Sequence, residues 1–408
     1  MARRNNLQSF SIASVVIFLL LWSFTDDPWP PSLRVSPFPN PKPDDFVCQL
    51  QEPKDPTFYD EPTNIYAIDV PMLEWDKKRS RWFELHPAFS RSENRLLVVT
   101  GSQSSPCKDP LGDHFTLRFF KNKVDYCRIH GCNIFYNNAL LHPKMRSAWA
   151  KTPAVRAAMV AHPEAEWLFW ADSDAIFTDM DFEIPFERYK DYNLVVNGWP
   201  NLLVNRSWVA VNAGLFLIRN CQWSMEFLDV WAGMSPKSSN YKIWARAVSS
   251  TIKDRLLPDN DDQSSLIYLI LKGRRKWREK IYVENRYALH GYWRMIVGRF
   301  DGLCGRYAEL EGRQRRHAEA AGAGYAAERG RHAEKGGWRR PFVTHFTGCQ
   351  PCSGDHNLEY DGETCKVEME RALNFADNQV LKNYGFVHPD LRNGSLISPL
   401  SYRFDRSS

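Results

Sequence analysis

The sequence lacks the motifs by which many proteins hold phosphate groups through the main chain. It contains no Walker-type loop and no Rossmann glycine fingerprint. The nearest approach is Thr100-Gly101-Ser102, which has too few glycines for either motif. A ligand that carries phosphate would therefore have to be held by side chains and a metal ion.

The chain also lacks a strong charge of one sign. Its 408 residues carry a net charge of +5, and 43% of them are hydrophobic. No basic stripe with interleaved aromatic residues is present, so the sequence argues against nucleic acid as a partner. The composition is that of a globular protein with one large domain or two.

Long hydrophobic runs are scarce, and the clearest one lies near the amino terminus. It covers about residues 10–25, after two arginines and before two aspartates. Its length of roughly 15–18 residues is near the lower limit for crossing a bilayer. No small-x-small cleavage site follows it, which favours a single transmembrane signal anchor over a cleaved signal peptide. The preceding positive charge predicts a cytosolic tail over residues 1–9.

Residues 26–93 are rich in proline and acidic side chains and are predicted to form a stem and lead-in. The remainder, 94–408, is predicted to be a lumenal domain, because nine cysteines suit an oxidising compartment. Glycosylation sequons begin at Asn205 and Asn393. The odd number of cysteines leaves at least one without an intrachain partner, and Cys48 is a candidate.

Strands and helices alternate in the first part of the predicted domain. Strand patterns cover 96–102, 133–138 and Trp167–Ala171, with helical patterns between them. This order predicts an α/β fold with a mostly parallel, Rossmann-like sheet. Residues 309–337, which are low in apolar side chains, are predicted to form a solvated, low-complexity insertion. The first helix is predicted to turn one set of side chains inward: Leu117, Phe120, Val124 and Cys127.

The most informative motif is Asp172-Ser173-Asp174, which directly follows the strand Trp167–Ala171. Buried strands do not tolerate unpaired carboxylates, and ligands bind at the carboxyl ends of parallel strands. Two carboxylates at such a strand end can hold a divalent cation that neutralises a diphosphate. The alternative is a polar turn in which one aspartate caps the next segment.

Three further groups could contribute to the same site. His345 could be a third ligand, and imidazole with two carboxylates suits Mn²⁺, although a lone histidine is more often structural. Asp261, Asp262 and Gln263 precede an apolar helix, either as N-caps or beside a developing positive charge at a sugar carbon. Lys151 could meet a phosphate, or it could lie on the solvated surface.

Three cysteines follow His345 closely: Cys349, Cys352 and Cys365. They could hold structural zinc, but disulfides are favoured in a lumenal protein. Such disulfides would hold the loop that carries His345. An aromatic segment over residues 288–293 could stack on sugar rings, although most such residues are core.

Four motifs in order resemble those of plant glycosyltransferase family 34, over roughly residues 96–389. They are FWADSDAIFTDMDFEIPFERYKDYNLVVNGW, DDQSSLIYLI, LHGYW and VTHFTGCQPCSGDHN. The family contains xyloglucan α-1,6-xylosyltransferases and galactomannan α-1,6-galactosyltransferases. The resemblance implies a GT-A fold, a manganese-bound nucleotide sugar, and Golgi anchoring with the catalytic domain in the lumen.

The resemblance also implies roles for individual residues. Asp172, Asp174 and His345 would bind the metal, and Asp261, Asp262 and Gln263 would lie beside the reacting sugar carbon. Acceptor binding is expected of His290 and Trp293. Donor binding is expected of Asp172, Ser173, Asp174, Lys151, Gly101, Gly348 and Gln350.

Gln350 in HFTGCQPC resembles the galactosyl branch, because the xylosyl branch typically has lysine there. We therefore predict a retaining enzyme that transfers galactose from UDP-galactose to O6 of a β-1,4-mannan backbone. The alternatives are a xyloglucan xylosyltransferase that uses UDP-xylose and a non-catalytic, polysaccharide-binding or scaffold subunit. The enzyme is expected to be a type II Golgi membrane glycoprotein, alone or in a homo- or hetero-oligomer with other Golgi glycosyltransferases.

Overall fold

A computed structural model of the chain describes residues 65–89, 95–255, 259–313 and 339–400. The predicted tail and anchor, Cys48, most of the stem and most of the insertion lie outside these residues. Within the described ranges, no helix is both long and apolar enough to cross a bilayer.

The described chain alternates between strands and helices along most of its length. The strands are β1 (Leu96–Gly101), β2 (Asn133–Asn137), β3 (Trp167–Ala171), β4 (Ala175–Phe177), β5 (Leu194–Gly198), β6 (Val211–Arg219), β7 (Ile281–Glu284), β8 (Gly291–Tyr292), β9 (Val343–His345), β10 (Phe386–Val387) and β11 (Ser398–Pro399). The α-helices are α1 (Trp75–Leu85), α2 (Gly112–His130), α3 (Lys151–Ala161), α4 (Pro200–Val204), α5 (Gln222–Ala232), α6 (Tyr241–Thr251), α7 (Asp262–Lys272), α8 (Arg275–Arg278), α9 (Trp293–Ile296), α10 (Phe300–Arg313) and α11 (Gly362–Leu381). The short 3₁₀ turns are Ser147–Ala150, Phe186–Tyr189, Trp208–Ala210, Val297–Arg299 and Lys382–Tyr384.

The main sheet has the strand order β2-β1-β3-β6-β5-β7. β1 pairs in parallel with β2 and β3, and β5 pairs in parallel with β7. β6 runs antiparallel to both of its neighbours, β3 and β5. The sheet is therefore mixed and mostly parallel, which confirms the predicted α/β class. The carboxyl ends of β1, β3 and β5 lie at one edge, where β6 begins.

Both faces of this sheet are covered, because β3 is buried along its whole length. One core cluster contains Leu168 and Trp170 with residues of α3, α5 and α7. The other contains Trp167 and Phe169 with residues of α2 and α11. A strand buried on both faces reads as a continuous apolar run, which is why β3 could be located from the sequence.

The predicted inward face of α2 is correct for Cys127, which is buried, and wrong for Leu117. Leu117 is exposed, whereas Phe115, Phe119 and Tyr126 form the buried face together with Asn122 and Lys123. The apolar spacing was misleading because two polar residues on the inward face, Asn122 and Lys123, donate hydrogen bonds to the backbone of β4. The helix ends before Gly131, whose φ of 66° suits a glycine after the last turn.

Part of the predicted lead-in packs on the domain. Trp75 and Trp82 of α1 are buried, and Trp75 Nε1 donates a hydrogen bond of 2.7 Å to Asn220 Oδ1. The compact region therefore begins before residue 94.

A smaller three-stranded sheet has the order β4-β9-β8. β4 and β9 are antiparallel with Ala175 opposite His345, so His345 lies next to the residue that follows Asp174. Disulfides Cys349–Cys365 and Cys107–Cys352 hold the loop after β9, which favours the predicted disulfides over zinc. Cys127–Cys132 closes the end of α2. Cys221 forms no disulfide with any of the described cysteines.

Candidate active site

The two carboxylates of Asp172-Ser173-Asp174 lie between β3 and β4, at the edge where β3 ends. The backbone N–H of Asp172 donates to Gly214 O at 3.0 Å, which ties the turn to β6. Trp170 Nε1 donates to Asp172 Oδ1 at 2.6 Å. The side chain of Asp172 is thereby oriented by its own strand, with Oδ2 turned towards His345.

Asp172, Asp174 and His345 converge as the sequence predicts. His345 Nε2 lies 3.1 Å from Asp174 Oδ1 and 3.8 Å from Asp172 Oδ2. One potential ligand atom from each of the three residues lies within 4.8 Å of the others. Two carboxylates and an imidazole are ligands that suit Mn²⁺ and related divalent cations, so the donor set fits the implied metal.

A buried lysine lies behind these acids. Lys123 on α2 is 1% exposed, and its Nζ donates to Ala175 O at 2.7 Å. Burial lowers the pKa of Lys123 to about 7, although the nearby Asp174 and Asp172 oppose this shift. Burial would raise the pKa of Asp174, but His345 and Lys123 outweigh it and the pKa is lowered. Asp174 is therefore held as a carboxylate.

The backbone of β6 passes directly beneath the cluster at Gly214. A Cβ placed on Gly214 would lie 2.3 Å from His345 Cε1 and 2.6 Å from Asp172 Oδ2. A side chain at this position therefore cannot coexist with the observed positions of both groups. Sequence reasoning assigned no role to Gly214. The available signal was a polar-and-small interruption, Asn212-Ala213-Gly214, at the start of an otherwise apolar strand.

Lys151 begins α3 and connects the metal-type cluster with the second acidic group. Its Nζ lies 2.7 Å from Asp262 Oδ2 and 3.5 Å from Asp172 Oδ1, and it donates to Ala213 O at 2.9 Å. Burial would lower the pKa of Lys151, but Asp172 and Asp262 outweigh it and raise the pKa. The alternative of a solvated surface lysine is wrong, because Lys151 is 3% exposed. Its three acceptors lie within the protein, so a contact with phosphate stays a prediction.

Asp262 is buried at the first position of α7. Burial raises its pKa to about 6, even though Lys151 opposes the shift; Asp261 and Asp172 add to it. Near neutral pH, Asp262 and Lys151 therefore form a buried ion pair.

Asp261 and Gln263 have structural partners. Asp261 caps α7, because its Oδ1 accepts from Ser264 N and its Oδ2 from Ser264 Oγ, both at 2.6 Å. Gln263 Oε1 accepts from Ala213 N at 3.2 Å, and Gln263 Nε2 donates to Trp208 O at 3.0 Å. The capping interpretation therefore accounts for the contacts of Asp261, and its catalytic role stays a prediction.

The two predicted acceptor residues differ in their surroundings. Trp293 is 3% exposed and stacks on Phe346 with 5.5 Å between ring centroids. Because its faces are covered, the prediction that Trp293 binds an acceptor sugar is wrong for this structure. His290 is half-buried, and its Nδ1 lies 3.1 Å from His345 Nδ1. Burial lowers the pKa of His290 well below its usual value, and His345 adds to this effect.

The remaining predicted donor residues lie around the same edge or on the loop after β9. Gly101 ends β1 against the backbone of Asn137. Gly348 has a φ of 84° and packs against Asn357, so a glycine is required there. Gln350 is exposed on the loop held by the two disulfides, and Ser173 is half-buried between the two acids. Their donor contacts stay predictions.

Both predicted glycosylation asparagines are exposed. Asn205 follows α4, and Asn393 lies in the segment before β11. Their exposure is compatible with modification, and their occupancy stays a prediction.

A mixed α/β sheet with two carboxylates and a histidine at the carboxyl edge is typical of a metal-assisted enzyme that acts on a phosphate-bearing ligand. The chain belongs to the galactosyl transferase GMA12/MNN10 family, glycosyltransferase family 34, whose sequence profile matches residues 92–356. It is therefore a glycosyltransferase, and the resemblance stated from the motifs is confirmed.

Named relatives cover most of the chain. Glycosyltransferase 6 of Arabidopsis thaliana is 56% identical over 365 residues, 86% of this chain and 84% of that protein. Galactomannan galactosyltransferase 1 of Cyamopsis tetragonoloba is 52% identical over 381 residues, 91% and 87% of the two chains. "Probable xyloglucan 6-xylosyltransferase 5" of Arabidopsis thaliana is 41% identical over 380 residues, 88% and 78%.

Among solved structures, the chain is similar to a glycosyltransferase involved in the glycosylation of the major capsid of PBCV-1. The identity is 10%, the TM-score is 0.39, and the match covers 68% of this chain and 99% of that one. A likeness this distant carries no weight in assigning the substrate.

Proposed function

We propose that this glycosyltransferase moves galactose from UDP-galactose to O6 of a β-1,4-linked mannan backbone with retention of the α configuration. The observation that carries the proposal is the 52% identity, over 91% of the chain, to a galactomannan galactosyltransferase. The relative named for xyloglucan xylosyl transfer is more distant, at 41% identity. A GT-A fold is part of the same proposal, and the mixed, mostly parallel sheet with Asp172 and Asp174 directly after β3 supports it.

Asp172, Asp174 and His345 would hold a divalent cation, with Mn²⁺ the expected ion. The support is their convergence at the end of β3 and the absence of glycine-rich phosphate loops from the sequence. When bound, such a cation supplies Lewis-acid stabilisation of the departing diphosphate. The chain's contribution is to orient Asp172 through Trp170 and to keep Asp174 ionised.

Asp262 would stabilise positive charge that develops at the sugar carbon. It is a buried carboxylate, ionised above about pH 6, and Lys151 fixes its position relative to Asp172. A preorganised charge in a dry site interacts with developing charge far more strongly than one in water. Gln263 would lie beside the same sugar carbon, with its side-chain amide held by Ala213 N and Trp208 O.

Product analysis with a panel of UDP-sugars tests this function directly. We expect the highest kcat/KM with UDP-galactose on manno-oligosaccharides, with α-1,6-linked product. A higher kcat/KM with UDP-xylose on cello-oligosaccharides would overturn the galactosyl assignment and leave the metal site standing. A chain that transfers neither sugar while binding polysaccharide would favour the scaffold alternative.

Gln350 has a separate test, because it lies on the exposed loop after β9. We infer from the resemblance to the xylosyl branch that a lysine at this position would reach the diphosphate of the donor. Gln350→Lys should therefore change the KM for both donors more than it changes the preference between them.

The proposed location is the Golgi membrane, single-pass type II, with the domain in the lumen. The support is the apolar run near residues 10–25 with arginines before it, together with the disulfides of the described domain. Protease added outside sealed vesicles should spare the domain. Digestion of the domain would show the opposite orientation.

A further inference from the structure

His345 is contacted on both of its ring nitrogens. Its Nε2 lies 3.1 Å from Asp174 Oδ1, on the side of the carboxylate pair. Its Nδ1 lies 3.1 Å from Nδ1 of His290, and the two rings are nearly perpendicular at 87°. Within the part of the chain that the structure describes, no other hydrogen bond reaches His345 Nδ1.

Two imidazole nitrogens at hydrogen-bonding distance must share one proton between them, because two bare nitrogens or two N–H groups repel. With Nε2–H of His345 on Asp174, the Nδ1 of a neutral His345 is bare and His290 must donate from its own Nδ1–H. With Nε2 of His345 bare, the proton lies on His345 Nδ1 and His290 must accept. Both arrangements carry two protons on the pair, so the change needs no net uptake or release.

A cation can bind His345 only in the second arrangement, because a metal ligand must present a lone pair. Histidines that bind metals commonly donate their other N–H to an acceptor that fixes the tautomer. Here the available acceptor is the Nδ1 of His290. The backbone N–H of His290 is itself held by Asn197 Oδ1 at 3.3 Å, which ties the residue to the bulged end of β5.

We propose that His290 is a positioning residue that holds His345 with its proton on Nδ1 and so leaves Nε2 available to a divalent cation. This inference rests on the metal site of the proposed function. It replaces the expectation that His290 binds the acceptor, because the contact observed for its ring is with His345.

The test compares two substitutions of similar size in the full-length protein. Asparagine offers an oxygen acceptor near the position of the Nδ1 of His290, whereas leucine offers none. Mn²⁺ affinity is measured from the EPR signal of the free ion, without donor or acceptor. We expect His290→Leu to weaken binding by about 10- to 100-fold and His290→Asn to retain most of the affinity. His114→Leu, at an exposed histidine of α2, is the matched control and should bind as wild type does.

Thermal unfolding of each variant shows whether the fold is kept, and the KM for oligosaccharide is measured separately. Wild-type affinity in His290→Leu would overturn the inference, and a raised acceptor KM in the same variant would restore the acceptor role. Equal weakening by leucine and asparagine would also overturn it, because packing alone would then explain the loss. If the wild-type protein binds no Mn²⁺, the metal site of the proposed function is overturned, and the inference about His290 is overturned with it.

Discussion

Two acidic triplets, Asp172-Ser173-Asp174 and Asp261-Asp262-Gln263, look alike in the sequence and differ in the structure. In the first, one potential ligand atom from each of Asp172, Asp174 and His345 lies within 4.8 Å of the others. In the second, every polar side chain has a partner: Ser264 for Asp261, Lys151 for Asp262, and the β6 backbone for Gln263.

The difference separates a site that awaits a ligand from one that is already organised. The three groups of the first cluster are placed to bind a cation, whereas Asp262 of the second triplet is already paired with the buried Lys151. Lys151 lies near both triplets, 3.5 Å from Asp172 and 2.7 Å from Asp262. The position of the metal-type cluster is thereby coupled to that of the proposed catalytic carboxylate.

The largest expected effect is on the first triplet. Removal of metal with EDTA should abolish transfer, and Mn²⁺ should restore it. Asp174→Ala should lower kcat by about 1,000-fold or more, since a Lewis acid is worth several kcal/mol in the transition state. The same variant should also lose some stability, because it removes the carboxylate that His345 and Lys123 stabilise. Full activity of a metal-stripped sample would contradict the assignment.

Substitutions at the second triplet should lower the free energy of unfolding. Lys151→Met leaves Asp262 buried without its cation, and breaking a buried pair in this way costs about 3–5 kcal/mol. Urea unfolding measures the loss. Lys276→Met, which removes an exposed ion pair with Glu226 at 2.9 Å, should cost under about 1 kcal/mol. Adding Asp262→Asn to Lys151→Met should recover part of the stability, and a loss below about 1 kcal/mol in Lys151→Met would contradict the comparison.

Gly214 tests whether the geometry of the first triplet is as tight as observed. Gly214→Ala would place a methyl group against His345 and Asp172. Overpacking of this kind costs about 1–3 kcal/mol, which corresponds to roughly a 10- to 100-fold weaker affinity for Mn²⁺ if the ligands move. Gly302→Ala on α10, where a Cβ meets nothing within 4 Å, is the control. Unchanged Mn²⁺ affinity in Gly214→Ala would show that the cluster tolerates displacement.

The sequence predicted the first triplet well because its signal is local. An apolar run that ends in two acids defines both the strand and the edge, and β1 and β3 were found in the same way. The place of Gly214 and the contact between His290 and His345 could not be predicted, because β6 and β8 approach the cluster only through sheet pairing. Trp293 failed for the same reason, since aromatic identity does not reveal which faces are covered.

A smaller effect is expected in the pH dependence of stability, through the raised pKa of Asp262. The pKa of Asp262 is raised to about 6, above its value of about 3.9 in the unfolded chain. Between these values the unfolded state releases a proton that the folded state keeps, so the contribution of Asp262 to stability falls as pH rises. Relative to wild type, Asp262→Asn should therefore gain stability from about pH 4 to about pH 6. Urea unfolding at both pH values checks the sign, and an opposite trend would contradict the raised pKa.

The smallest effect should come from Asp261, whose carboxylate serves as the cap of α7. Asp261→Ala removes hydrogen bonds to Ser264 N and Oγ and should cost about 1 kcal/mol of stability. Asp361 caps α11 in the same way, with Thr364 N and Oγ1 both at 2.7 Å, and it provides the matched variant Asp361→Ala. If capping is the whole role of Asp261, its loss should change kcat by no more than the loss of Asp361 does. A much larger fall in kcat for Asp261→Ala, with a small change in urea stability, would instead return Asp261 to the reacting centre.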